Sequence, residues 1–341
     1  MPVLKVPKKI VVGILLFLFC SILFYYSYLL VQPAYKLVGT NTEEIIFIKP
    51  GTTIDSIAEE LGTKKIIADP ILFKAYVRLI GVGAKVQAGY YRLNSKLTIS
   101  EIVDKLVEGE MAHYKVTIPE GQTIENIAGR LVEYGIEEEQ FLSLSRTLEA
   151  SFLNVAPEEK KNLVYNLEGF LFPDTYQIPY GSSAEEVIKI MLEGFKDRIA
   201  PIKDQIQTSK YSLNQIITIA SLIQAEGQVA REFPLISSVI YNRLEINMKL
   251  QIDATIQYIL PERKARLLYS DLKVDSLYNT YLNYGLPPGP INSPGLKAIK
   301  AALNPVQTDY LYYVASGDGE HKFTKTYQQH LKVQDEMKGK E

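Results

Sequence analysis

Ile48-Lys49-Pro50-Gly51-Thr52-Thr53-Ile54-Asp55-Ser56-Ile57-Ala58-Glu59-Glu60-Leu61 returns 70 residues later as Ile118-Pro119-Glu120-Gly121-Gln122-Thr123-Ile124-Glu125-Asn126-Ile127-Ala128-Gly129-Arg130-Leu131, with seven identities in fourteen positions. Both copies read as strand, turn and helix. A short apolar strand ends at the isoleucine, a glycine-containing turn follows, and Thr53 or Thr123 supplies a side-chain oxygen as N-cap. Asp55 or Glu125 then falls in the first turn, where the helix dipole favours negative charge. Ile54, Ile57, Ala58 and Leu61 recur at i, i+3, i+4 and i+7, so they share one helical face.

From that repeat the organisation extends in both directions. Ala88 to Leu93 predicts another strand. Thr98-Ile99-Ser100-Glu101 opens a helix through Val107, with a capping hydroxyl and an acid three residues on. Residues 40–115 therefore form a small α+β module, and the second copy opens a larger α+β domain over 116–341. Residues 132–200 are mostly helical in pattern, interrupted by Glu168-Gly169-Phe170-Leu171-Phe172-Pro173-Asp174, whose aromatics, carboxylates, Gly and Pro suit a cleft wall. A Pro/Gly-dense loop spans Gly285 to Pro290. Tyr310 to Val314 reads as a strand, Asp318-Gly319 as a turn, His321 to Phe323 as a short strand, and a polar helix follows.

Upstream, Ile10 to Val31 runs 22 residues without a charge. As a helix it is about 33 Å long, which matches the hydrocarbon core of a bilayer. Lys5, Lys8 and Lys9 precede it, against Lys36, Glu43 and Glu44 after it, so the N-terminus is expected on the cytoplasmic side. Tyr25, Tyr26 and Tyr28 fit the outer interface. The run is too long for a signal-peptide core and no small-x-small site follows, so a retained anchor is expected. Phe17-Leu18-Phe19 before Cys20 argues against a lipoprotein. The rest of the chain, residues 40–341, is then extracytoplasmic.

Composition removes several classes of function. Lys and Arg total 37 against 39 Asp and Glu, leaving no basic surplus for nucleic acid. One cysteine allows no intrachain disulfide and no CxxC site. There is no GxSxG, Walker A or HExxH pattern. His321 and His330, nine apart, read as structural or solvated rather than as metal ligands. No metal and no cofactor is expected. Trp is absent and Tyr numbers 23, so any stacking on sugar rings falls to tyrosine.

The most informative helix begins at Ser212 and runs to Glu226. At 100° per residue Ile216, Ile217, Ala220 and Ile223 make its core stripe, and Glu226 projects from a mostly apolar arc. Gly227 ends or bends the helix beside it. An apolar setting penalises the carboxylate and moves its pKa from about 4.3 toward about 6, which suits a general acid. Downstream, Gln251, Asp253 and Thr255 alternate with apolar residues. They either line one face of an extended segment or, with Asp253 as N-cap, start the next helix.

At this level the chain resembles the endolytic murein transglycosylases of the MltG (YceG-like) family. The matching stretches, in order, are Leu167 to Tyr176, Ala220 to Glu226, Asn242-Arg243-Leu244, Leu250 to Thr255, Tyr278 to Tyr281, Gly285 to Ile291, Ala301 to Pro305 and Tyr310-Leu311-Tyr312. The resemblance implies a membrane anchor, a LysM-like module at about 43–115 and a catalytic domain that cuts the MurNAc–GlcNAc bond of nascent strands, leaving 1,6-anhydroMurNAc ends and terminating glycan elongation. It carries Glu226 over as the catalytic acid. Many members have a second acid two residues earlier, where this chain has Gln224. Gln251, Asp253, Thr255, Glu168 and Asn242 are the candidate substrate contacts, with Asp174 as a further cleft carboxylate. The implied partners are peptidoglycan strands, the plasma membrane and peptidoglycan synthases. An alternative is a non-catalytic peptidoglycan-binding scaffold for those synthases.

Overall fold

The computed structural model describes residues 7–30, 32–34, 43–149, 161–317 and 319–338; Lys5, Val31, Lys36 and Asp318, used above, lie outside them. Among the described residues the chain is α+β and divides into two compact units, Met1–Tyr114 with Pro179–Gly181, and Lys115–Ile178 with Ser182–Glu341. Helix α1 (Lys8–Leu30) holds the apolar N-terminal run. Its stretch Lys8–Tyr28 is long and apolar enough to cross a membrane. Large apolar side chains along it, from Ile10 to Phe24, are exposed.

The first unit follows with β1 (Glu43–Ile48), α2 (Ile54–Thr63), α3 (Pro70–Leu79), β2 (Gly89–Asn94) and α4 (Ile99–Glu108). Strands β1 and β2 pair antiparallel, with Ile46 opposite Tyr91 and Ile48 opposite Gly89. The pleat turns alternate residues inward, so Ile46, Ile48, Tyr91 and Leu93 are buried with Ile57, Leu61, Phe73 and Leu106. Thr53 accepts from the Ser56 amide, Asp69 from those of Ile71 and Leu72, and Thr98 with Glu101 forms a reciprocal capping box.

Strand β3 (His113–Thr117) leads into the second unit, where α5 (Ile124–Leu131) and α6 (Glu138–Thr147) follow. The repeated sequence thus builds the same local motif twice. Thr123 caps α5 by accepting from the Asn126 amide, as Thr53 does on α2. Gly51 and Gly121 both sit at positive φ, +80° and +78°, where a side chain would be strained. Strand β4 (Thr175–Pro179) pairs with β3. Then come α7 (Ala184–Ile199), α8 (Lys203–Thr208), α9 (Leu213–Glu226), α10 (Phe233–Glu245), α11 (Asp253–Ile259) and α12 (Leu296–Leu303). Hairpin β5 (Tyr312–Ala315) with β6 (His321–Thr324), and α13 (Tyr327–Lys338), complete the unit.

Helix α9 is the centre of this unit. Ser212 and Gln215 form its capping box, and it packs on α10, α11 and α12. The four-residue core stripe expected from periodicity is too narrow: Asn214 and every residue from Ile216 to Ile223 are buried. Neighbours cover the helix on all sides, so its polar residues must bond inward. Thr218 Oγ1 donates to the Asn214 carbonyl at 2.7 Å, and Ser221 Oγ donates to the Thr218 carbonyl and accepts from the Ile291 amide.

Candidate active site

Glu226 is the last residue of α9 and is half-buried. Tyr313 of β5 donates its hydroxyl to Glu226 Oε2 at 2.9 Å. Burial pushes the Glu226 carboxyl above its ordinary range, and Asp253 nearby pushes the same way; the Tyr313 hydrogen bond, His321 and Arg243 pull against them. The negative end of the α9 dipole adds to the upward push. The result is a carboxyl inclined to keep its proton, with a hydroxyl in place to receive the carboxylate once the proton leaves.

Gly227 ends α9 for a steric reason. Its backbone is extended (φ −88°, ψ 127°) rather than left-handed. A Cβ there would lie 2.6 Å from Phe233 Cε1, so the bare glycine leaves room for the Phe233 ring against the end of α9.

Arg243 holds the two walls beside the acid. Its Nε donates to the Leu311 carbonyl at 2.6 Å, at the entry to β5, and its Nη1 donates to the Leu250 carbonyl at 2.5 Å, just before α11. Its guanidinium also lies 5.3 Å from the centre of the Tyr312 ring. His321 is tied to buried Glu232 twice: its backbone amide donates to Oε1 at 2.9 Å, and its Nδ1 is 2.8 Å from Oε2. The His321 ring meets Tyr313 edge-on, with centroids 5.4 Å apart. This histidine is therefore a structural brace on the tyrosine that bonds Glu226.

The other candidate contacts separate into two groups. Asp253 and Gln251 are exposed, and Tyr281 donates its hydroxyl to Asp253 Oδ1. Of the two readings of Gln251, Asp253 and Thr255, the start of a helix is the one observed, with Asp253 as its first residue rather than its cap. Only Leu250 to Ile252 precede α11, Gln251 has φ +49°, and the cap position is Ile252 without a side-chain bond. Thr255, Glu168 and Asn242 each bond to protein groups. Thr255 is fully buried and donates to the Ile252 carbonyl. Asn242 Nδ2 donates to the carbonyls of Thr308 and Tyr310, fixing the chain that enters β5. Asp174 is bound by Arg198 through Nε and Nη2. Gln224 accepts from the Gly295 amide at 3.0 Å, so it anchors the start of α12.

Glu168 is 1% exposed and accepts from the Ile124 amide, at the start of α5, and from the Tyr258 hydroxyl at 3.1 Å. Burial pushes its carboxyl up to about 8, against the pull of those two donors. The folded state therefore holds a proton that the unfolded chain releases near its ordinary value of 4.5. This group's stabilisation is complete below that value and is lost as pH rises through about 8, a change on the order of 4–5 kcal/mol. Glu168→Gln keeps an acceptor without the ionisation. Thermal melts of the full chain in detergent from pH 5 to 9 are expected to show a falling Tm for the wild type and a flatter profile for the variant.

Sequence reading missed Tyr313 and Arg243 as parts of the site. Arg243 had a detectable signal: it continues the buried series Ile236, Val239 and Ile240 on α10 at helical spacing, where a cation needs a buried acceptor. Tyr313 had none, because 87 residues separate it from Glu226.

The chain has relatives among known proteins. The family model described as YceG-like matches residues 46–336. The chain is 35% identical over 327 residues to an endolytic murein transglycosylase of Bacillus subtilis (strain 168), covering 92% of this chain and 89% of that protein. It is 28% identical to an endolytic murein transglycosylase of Streptococcus pneumoniae, covering 90% of this chain but 61% of that longer protein. The crystal structure of a yceG-like protein from Listeria monocytogenes superposes with a TM-score of 0.60 at 36% identity, covering 86% of this chain and all of that one.

Proposed function

The chain belongs to the YceG-like family, and from that premise we propose that it is an endolytic murein transglycosylase with Glu226 as its acid and base. The observation that carries the assignment is the Glu226 carboxyl itself: half-buried, biased toward its protonated form, and bonded by a tyrosine hydroxyl that stabilises the opposite form. Such a group can give a proton and then take one back. Glu226 protonates the glycosidic oxygen between MurNAc and GlcNAc as the C1–O bond breaks, and the GlcNAc hydroxyl leaves. The sugar's own acetamido oxygen stabilises the positive charge at C1. Glu226, now a carboxylate held by Tyr313, removes the proton from the muramyl C6 hydroxyl. O6 bonds to C1 and closes the 1,6-anhydro ring, with no water consumed. Asp253, held by Tyr281 beside the acid, supplies negative charge facing the developing cation. Arg243 keeps the strand of Tyr313 and the start of α11 at fixed separation.

In this reading α1 anchors the protein in the plasma membrane with its N-terminus cytoplasmic, supported by the position of Lys8 and Lys9 before the apolar run. The first unit acts as the LysM-like module, supported by its strand–helix–helix–strand order and antiparallel β1–β2 pair. Anchoring confines cutting to glycan close to the membrane, which suits release of nascent strands beside the synthases. Mass analysis of products from un-cross-linked strands tests the chemistry. Anhydromuramyl ends are expected. Reducing ends would instead make Asp253 the group that orients water, and the protein a hydrolase.

A further inference from the structure

The second unit has a cavity of about 650 Å³ that the cleavage reaction does not use. Its lining includes Asn214, Thr218, Leu244, Asn283 and two tyrosines, Tyr211 and Tyr284. Asn214 and Glu226 stand at opposite ends of α9, twelve residues or about 18 Å apart along the axis. Leu244 follows Arg243, and Tyr284 lies three residues beyond Tyr281, so the elements that wall the acid also wall this cavity.

We propose that this cavity binds an N-acetylated sugar of the same glycan strand, at a second site away from the cleavage point. The inference rests on the glycan-cleaving reading of the Glu226 site. Two observations select the ligand, beside a wall fixed by Asn214, which is 2% exposed and donates its Nδ2 to the Pro288 carbonyl. The lining contains amides, hydroxyls and apolar groups but no Asp, Glu, Lys, Arg or His, so it suits a neutral polar ligand. Tyr284 is 61% exposed and presents a flat ring, the surface on which the C–H face of a pyranose stacks. Two lysines lie on the lining tyrosine rings: Lys210 Nζ is 5.1 Å from the Tyr211 centroid and Lys249 Nζ 5.0 Å from that of Tyr284. There they can meet the carboxylates that a murein strand carries beside its acetamido groups.

The test uses the full chain in detergent as Glu226→Gln, titrated with the neutral trimer of N-acetylglucosamine. Tyr284→Ala in that background is expected to weaken binding about 3–10-fold, the worth of one aromatic contact. Tyr284→Phe should retain it. Bound trimer should protect the backbone amides of residues 283–286 from exchange, and an unchanged melting temperature shows that Tyr284→Ala is folded. Equal affinity in Tyr284→Ala, or protection confined to residues 311–315, overturns the second site. Product analysis of the wild type on the same day separates the two readings: anhydro ends with no Tyr284 effect reject the cavity alone, whereas no cleavage rejects the function it rests on.

Discussion

Glu226→Gln is expected to lower kcat/KM on glycan strands by about 10²–10⁴-fold, the usual worth of one positioned proton donor. The amide has nearly the shape of the acid, and its oxygen still accepts from Tyr313. What it lacks is the proton for the leaving oxygen and the carboxylate for the C6 hydroxyl. Because one group performs both steps, no other residue compensates. Stability should move the other way or not at all. Burial penalises the charged acid in the folded state and does not penalise a neutral amide with a partner. A melting temperature equal to or above that of the wild type, with cleavage nearly abolished, separates loss of chemistry from loss of fold. The wild-type rate should also fall on the alkaline side, since the first step needs the protonated acid and burial moves its titration upward. Near-normal production of anhydro ends by Glu226→Gln would falsify the assignment.

Gly169→Ala is expected to destabilise the second unit by about 3 kcal/mol, adding left-handed strain to overpacking. Gly169 has φ +82°, and a Cβ there would lie 2.6 Å from Pro290 Cβ and 2.8 Å from Ile217 Cγ2. None of these atoms is the free end of a flexible chain. Pro290 belongs to the loop whose Ile291 amide bonds Ser221, and Ile217 is in the buried body of α9. The added methyl must therefore displace the loop or the helix that ends in Glu226. Chemical denaturation of the full chain in detergent should show a lower midpoint at an unchanged slope. A loss below about 0.5 kcal/mol would mean that the contact yields easily, contrary to its burial.

Much of the local structure is written in neighbouring residues. Thr53, Thr123, Thr98 and Ser212 each cap the helix they were expected to cap, because a cap needs only a side-chain oxygen two or three residues from an amide. The repeat shows the same thing twice: one pattern of Gly, Thr and spaced apolar residues yields the same turn and helix in both units. Sequence fell short where a residue's role depends on what packs beside it. Glu168, Asn242 and Thr255 have the chemistry of sugar contacts, and each bonds a protein partner that periodicity cannot reveal. The four-residue stripe on α9 is narrower than its buried surface because an amphipathic pattern does not count how many neighbours a helix will have.

By itself, then, the sequence determined the apolar N-terminal helix, the repeated strand–turn–helix and the acid at the end of an apolar helix, all set by interactions within a few residues. Only the tertiary structure decided which partners that acid receives. Tyr313 bonds Glu226 from β5, Arg243 of α10 and Asp253 of α11 act on its charge, and His321 and Glu232 brace the tyrosine from β6 and the turn before α10. Their approach depends on how α10, α11 and the hairpin pack around α9. That packing comes from non-directional burial of apolar surface over the whole unit, which no short stretch of sequence encodes.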